Sequence, residues 1–133
     1  MAVRYPKMIK AAQRPKDVFT TSFAPKGRRH AVIYAVCVKG HDGVVKLGRT
    51  TKWKTRRQSY QRWNLSSGDA ITSERVFVLT DEFVDLVKIE RAILDGCPFP
   101  LRHGQEWFTA DLDEICRYVD RFLTINEISF VVE

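Results

Sequence analysis

The segment AVIYAVCV at 31–38 is an unbroken run of apolar and mostly β-favouring residues; the turn-forming KGHDG follows, then VVKLGRT. Two extended runs around so short a polar loop fold as a β-hairpin, since glycine and aspartate supply the tight reversal and the flanking residues prefer the pleated strand. Pairing Val38 with Val44 across the five-residue loop sets the register. Side chains alternate along a strand, so this register puts Val32, Tyr34, Val36, Lys46 and Gly48 on one face. A slip of one residue would separate Tyr34 from Lys46.

The remaining pattern surrounds this hairpin. WKTRRQSYQRW at 53–63 reads as a short helix with Arg56 and Tyr60 one turn apart on one face, and ERVFVLT at 74–80 reads as a third strand. Residues 82–95 predict a second helix whose apolar stripe runs through Phe83, Val87 and Leu94, with Leu86 and Ile93 at its flank, ended by Gly96 and Pro98. EWF at 106–108 is a short extended piece. Asp111 with Glu114 forms a capping box for a last helix, whose apolar face is Leu112, Ile115, Cys116, Val119, Phe122 and Leu123. The order β-β-α-β-α-(β)-α, over 133 residues of which 44% are hydrophobic, predicts one α+β domain at 30–133. Residues 1–29, with Pro6, Pro15 and Pro25 and no sustained apolar period, are expected to be a flexible basic arm outside the core. Those prolines also argue against the amphipathic helix of a mitochondrial presequence. No run approaches the roughly 18 apolar residues of a membrane span, and the N-terminus lacks a secretory signal, so the expectation is a soluble, intracellular, cytoplasmic protein that does not bind membranes.

Charge is distributed unevenly. Residues 1–29 hold eight Lys/Arg against Asp17 alone, and residues 46–62 hold seven with no acid, whereas residues 63–133 carry fourteen acids against six bases. A solvated surface normally mixes signs, so two acid-poor stretches point to an anionic polymer as partner. Arg28, Arg29, Arg49, Lys52, Lys54, Arg57 and Arg62 are the candidate phosphate contacts. Trp53, Tyr60 and Trp63, interleaved with them, either stack on bases or anchor the core.

Glu90 is the most informative single position. Helical spacing puts it in the middle of the Phe83–Val87–Leu94 stripe, and a carboxylate facing a core is protonated, paired with a cation or bound to metal. Tyr34 is either a packing residue or, with Lys46, Arg56 and Tyr60 close by, a phenol whose pKa is lowered enough to take a proton. Cys37, Cys97 and Cys116 are odd in number and widely spaced, which suits reduced, buried thiols. His30, His41 and His103 are too scattered for a ligand set, and no phosphate-binding glycine loop, nucleophile elbow or dinucleotide fingerprint occurs.

The order of these features resembles the GIY-YIG nuclease superfamily. VIY at 32–34 looks like its first signature element and KLG at 46–48 like its second; Arg56 stands where the family has its catalytic arginine, Tyr60 at its His-or-Tyr position, and Glu90 at its metal-binding glutamate. KLGRT with the later GQEWF at 104–108 resembles the small phage-associated and fungal meiosis-related branch, in which Lys commonly replaces the second tyrosine. The similarity covers about residues 30–108. It departs at Val32 for the first glycine, at Lys46 for the second tyrosine, and at the late asparagine, where only Gln105 or Glu106 is at hand.

The resemblance implies a three-stranded antiparallel sheet flanked by helices, here with an added C-terminal helix, and a metal-dependent endonuclease that hydrolyses nucleic-acid phosphodiesters, DNA rather than RNA, to a 5′-phosphate and a 3′-hydroxyl. Glu90 would hold Mg²⁺ or Mn²⁺, Tyr34 would activate water with its pKa lowered by Lys46, Arg56 would stabilise transition-state charge, and Tyr60 would position water or phosphate. The departures leave room for a catalytically inactive nucleic-acid-binding module of the same fold. A protein-interaction domain using the acidic C-terminal half is a third reading.

Overall fold

The computed structural model describes residues 18–20, 31–61, 70–81 and 83–133. Its elements are β1 (Ala31–Val38), β2 (Val44–Thr50), α1 (Trp53–Gln61), β3 (Ile71–Leu79), α2 (Leu86–Asp95), β4 (Leu101–His103), β5 (Trp107–Thr109), α3 (Leu112–Ile125) and β6 (Phe130–Val132). The strands form one antiparallel sheet in the order β4-β5-β2-β1-β3-β6. β1 lies inside it, covered on both faces, which is why its sequence is continuously apolar instead of alternating.

The hairpin register is the expected one. Tyr34 pairs with Gly48 and Val36 with Lys46, and Gly40 and Gly43 adopt φ of +87° and +73° to turn the loop, a backbone region costly for other residues. The sheet therefore has two distinct faces. One carries Val32, Tyr34, Val36, Ile71 and Val76 under α1; the other carries Ala31, Ile33, Ala35, Val45, Leu47, Phe77, Leu79 and Phe108, the larger core, covered by α2 and α3. The capping box of α3 is present, and Ile115, Val119, Phe122 and Leu123 are its buried residues.

Four expectations need correction. The sheet has six strands, not three: β2, β1 and β3 are the central trio; the extended piece expected at 106–108 is β5, which pairs with β2, and the added β4 and β6 are three residues each, too short for alternation to register in the sequence. β3 begins three residues earlier than the apolar pattern suggested, because Thr72 and Ser73 are exposed strand residues. α2 begins at Leu86, with Asp85 as N-cap accepting from the Lys88 amide at 3.1 Å, and the preceding Val84 bridges Thr20 in extended form. Its buried residues are Ile89 and Ile93, so the helix is rotated from the expected face: Phe83 and Val87 are exposed. Finally, the arm is not wholly outside the core. Phe19 is 2% exposed, packs edge-to-face on Phe122 at 5.7 Å, and its carbonyl accepts from the Asp85 amide at 2.7 Å.

Candidate functional site

The face under α1 brings together Tyr34, Lys46 and Tyr60. Tyr34 is only 1% exposed and lies across the strand pair from Gly48, where a Cβ would overlap the phenol ring and hydroxyl. Glycine is needed here for close approach, not for backbone freedom. Tyr60, one face of α1, places its hydroxyl 2.9 Å from that of Tyr34, and Trp53, at the start of the same helix, stacks obliquely on the Tyr34 ring with centroids 4.9 Å apart. Trp53 is thus a core anchor. Lys46 Nζ donates to Tyr60 Oη at 2.9 Å and to Tyr34 Oη at 3.3 Å, and approaches Glu106 Oε2 at 3.4 Å. An ammonium has three donors, and these three oxygens face all of them.

The electrostatics differ from the expectation that Lys46 lowers the Tyr34 pKa. Burial pushes the phenol well above its ordinary value, the hydrogen bond with Tyr60 adds to this, and the Lys46 charge only partly offsets them. Burial acts on Lys46 in the opposite sense, but its hydrogen bond to Tyr60 and the two phenol groups hold it charged, raised above the usual lysine value. Around neutral pH, Tyr34 therefore carries its proton and Lys46 its charge.

On the other face, at the free end of β2, lies a cleft of about 640 Å³ lined by Arg49, Val87, Glu90, Leu94, Glu106 and others. Glu90 sits on the cleft side of α2, beside the core face; its side chain is 14% exposed and its Oε1 accepts from Arg49 Nε at 3.1 Å. The cation pairing left open by the sequence is present. Burial raises the Glu90 carboxyl above its ordinary value, opposed by Arg49 and reinforced by the negative charge of Glu106. Glu106 thus joins the two halves, ion-paired to Lys46 and felt by Glu90.

Arg56 lies one helical turn before Tyr60 with its side chain exposed, and no hydrogen bond or ion pair holds its guanidinium among the described residues. Of the candidate phosphate contacts, Lys52 and Lys54 are exposed, Arg49 is tied to Glu90, and Arg57 Nε donates to Glu74 Oε1 at 2.9 Å. Arg28, Arg29 and Arg62 lie outside the described residues. Among the described residues no three His, Cys, Asp or Glu side chains cluster as a metal cage, and no helix is long and apolar enough to cross a membrane. All three cysteines are free and half-buried. No family model, curated protein or solved structure matches the chain.

Two contributions went unread in the sequence. Glu106 was only one of two stand-ins for a missing asparagine, and its link to Lys46 depends on where β5 leaves β2. Arg49 read as a phosphate contact; a cation two residues before Thr51 gives no hint that a helix 41 residues on will offer it a carboxylate.

Proposed function

We propose that this chain is a metal-dependent endonuclease of the GIY-YIG type, hydrolysing phosphodiester bonds with DNA as the expected substrate. The observation that carries the reading is the Tyr34–Lys46–Tyr60 cluster seated on Gly48, with Arg56 one turn away, its guanidinium unpaired among the described residues. These are the residues that the resemblance nominates, drawn into one contact by hairpin register and one helix. A purely structural cluster has little need of a charged ammonium with its side chain 15% exposed, since its desolvation opposes folding.

A divalent cation fits the chemistry of Glu90: a hard oxygen donor in an open cleft, its Oε2 without a hydrogen bond among the described residues, suited to an ion that keeps most of its waters. When bound, Mg²⁺ or Mn²⁺ supplies positive charge for the phosphate and the departing oxygen. The chain's own residues do the rest. Water attacks phosphorus, its proton passes to the Tyr34–Tyr60 hydroxyl pair, and the bond from phosphorus to O3′ breaks, leaving a 5′-phosphate and a 3′-hydroxyl. The Tyr34 phenol must first release its own proton to solvent, a loss that Lys46 favours and burial resists, and the departing O3′ takes a proton from solvent water to become the hydroxyl. Arg56 neutralises the charge that gathers on the phosphoryl oxygens. Lys52 and Lys54 grip neighbouring phosphates.

The second reading, a binding module without catalysis, draws support from the Arg49–Glu90 pair, which occupies the carboxylate without metal. Supercoiled plasmid, single-stranded DNA and RNA incubated with Mg²⁺ or Mn²⁺, and with EDTA as control, separate the two. Nicking that EDTA abolishes is expected. Intact substrates across a range of pH and metal, with salt-sensitive binding retained, would overturn the hydrolytic reading.

A further inference from the structure

Lys46 stands between the two halves of the site, and what holds it there is Glu106. The Glu106 carbonyl accepts from the Leu47 amide at 2.9 Å, one residue past the last β2–β5 pair, Lys46 with Trp107. That bond pins the backbone of residue 106 beside β2 at the point where β5 diverges. Its carboxylate then takes the direction of Lys46 Nζ that the two phenols leave open, at 3.4 Å.

We propose that Glu106 is a positioning residue: its carboxylate holds the Lys46 ammonium against the Tyr34–Tyr60 hydroxyl pair and offsets part of the positive charge those hydroxyls feel. The inference rests on the hydrolytic reading for its effect on rate, but its electrostatics can be measured without cleavage. The groups concerned are few. Tyr34 faces Lys46 from β2 and Tyr60 from α1; from β3 its neighbour is Val76, and Glu74 on the same strand is held by Arg57. Lys46 faces the two phenols and Glu106, while Glu106 faces Lys46 and, across the cleft, Glu90 with its Arg49.

The sign follows from the charges. Lys46 favours the phenolate, and a carboxylate behind Lys46 disfavours it, so Glu106→Gln should let Tyr34 ionise at lower pH. The carboxylate lies 3.4 Å from Lys46 Nζ, itself 3.3 Å from the Tyr34 hydroxyl, and a unit charge at that remove, in a medium between protein surface and water, is worth roughly half to one pH unit.

The test compares the parent with Glu106→Gln and Glu106→Asp by phenolate absorbance against pH, without metal or nucleic acid, each with and without Tyr34→Phe to isolate that phenol. Circular dichroism marks the folded range. The pH dependence of plasmid nicking is measured on the same proteins. Expected is an onset of Tyr34 ionisation, and a rising limb of nicking, about half to one unit lower in Glu106→Gln, with Glu106→Asp near the parent. An onset and a limb that both stay in place, with only the melting temperature lowered, would reduce Glu106 to a structural anchor and overturn the proposal. So would a raised Mg²⁺ requirement at an unmoved onset, which would make it a metal ligand. If no Tyr34 onset is reached before unfolding, the limb alone decides. A shifted onset in proteins that never cut DNA would leave the role of Glu106 standing and remove the hydrolytic reading.

Discussion

The phenol side and the carboxylate side of the site are held by different kinds of geometry. On the phenol side, Tyr34, Gly48 and Lys46 are fixed by a single hairpin register, and Tyr60 by the next helix in the chain. On the carboxylate side, Glu90 and Arg49 meet only because α2, 41 positions along the chain, settles at one rotation over β2. The first arrangement is local and stiff; the second depends on how a helix packs and leaves both charges partly wet. Short contacts set by local register are concentrated on the first side, and contacts that depend on helix packing on the second.

Removing charge from each side sharpens that contrast. Glu90→Gln should cost the largest effect, cleavage falling by orders of magnitude while DNA affinity survives. Stability should change little, by about 1 kcal/mol or less, because Arg49 is 41% exposed and water can replace the carboxylate. Full cleavage in a stable Glu90→Gln protein would detach Glu90 from the reaction. Tyr34→Phe should lower cleavage by roughly 10²–10⁴-fold, the usual contribution of a proton-transfer group. If Tyr34 is that group, parent cleavage should rise with pH through the alkaline range, as the phenolate becomes accessible, and the variant should lose this limb.

How far the sequence led follows the same division. Alternation placed Tyr34, Lys46 and Gly48 on one face correctly, because the short loop between Val38 and Val44 fixes the hairpin register. The helix was harder. Leu86, Val87, Ile89, Ile93 and Leu94 spread over nearly half of α2, a stripe wide enough to be centred on either flank, and the choice of Ile89 and Ile93 for the core was made by the packing of β1 and β2 beneath it. Glu90 was nominated for a place on a core face that it does not occupy, and its half-buried state comes from the cleft. The edge strands β4 and β6 were illegible because three residues carry no period, and the Tyr34 pKa went the wrong way because its burial depends on α1 and Trp53, whose packing the spacing does not give.

Two smaller effects test the stiffness of the phenol side. Gly48→Ala drives a methyl group into the Tyr34 phenol and should destabilise by about 1–3 kcal/mol, with a loss of cleavage larger than the unfolding accounts for. Melting measured beside activity at a temperature where the variant is folded checks this; an unaffected rate would mean the phenol has room to move. Alkaline unfolding gives the gentlest probe. Tyr34 and Tyr118 both hold their protons more tightly when folded, so the stability they contribute is complete below the ordinary phenol pKa near 10 and is lost as pH rises through their folded values. Tyr34→Phe should make the melting temperature fall less steeply above pH 10, and an identical slope would contradict the burial of that hydroxyl.

The seat of Phe19 is a buckle: it ties residues 18–20 to the body well before the central strand begins. The chain is fastened at Val18–Thr20 by an aromatic plug and again at Ala31 by the central strand, so Lys26, Arg28 and Arg29 fall in sequence between two fastenings, whereas Arg4, Lys7, Lys10, Arg14 and Lys16 precede the first. Scissors applied before Val18 would strip five positive charges and leave the wall of α3 intact. Applied after Arg29, they would pull the plug from against Phe122 and leave a void of the kind that costs about 3–5 kcal/mol, so that a loss of DNA binding would report a loosened body and not a missing grip.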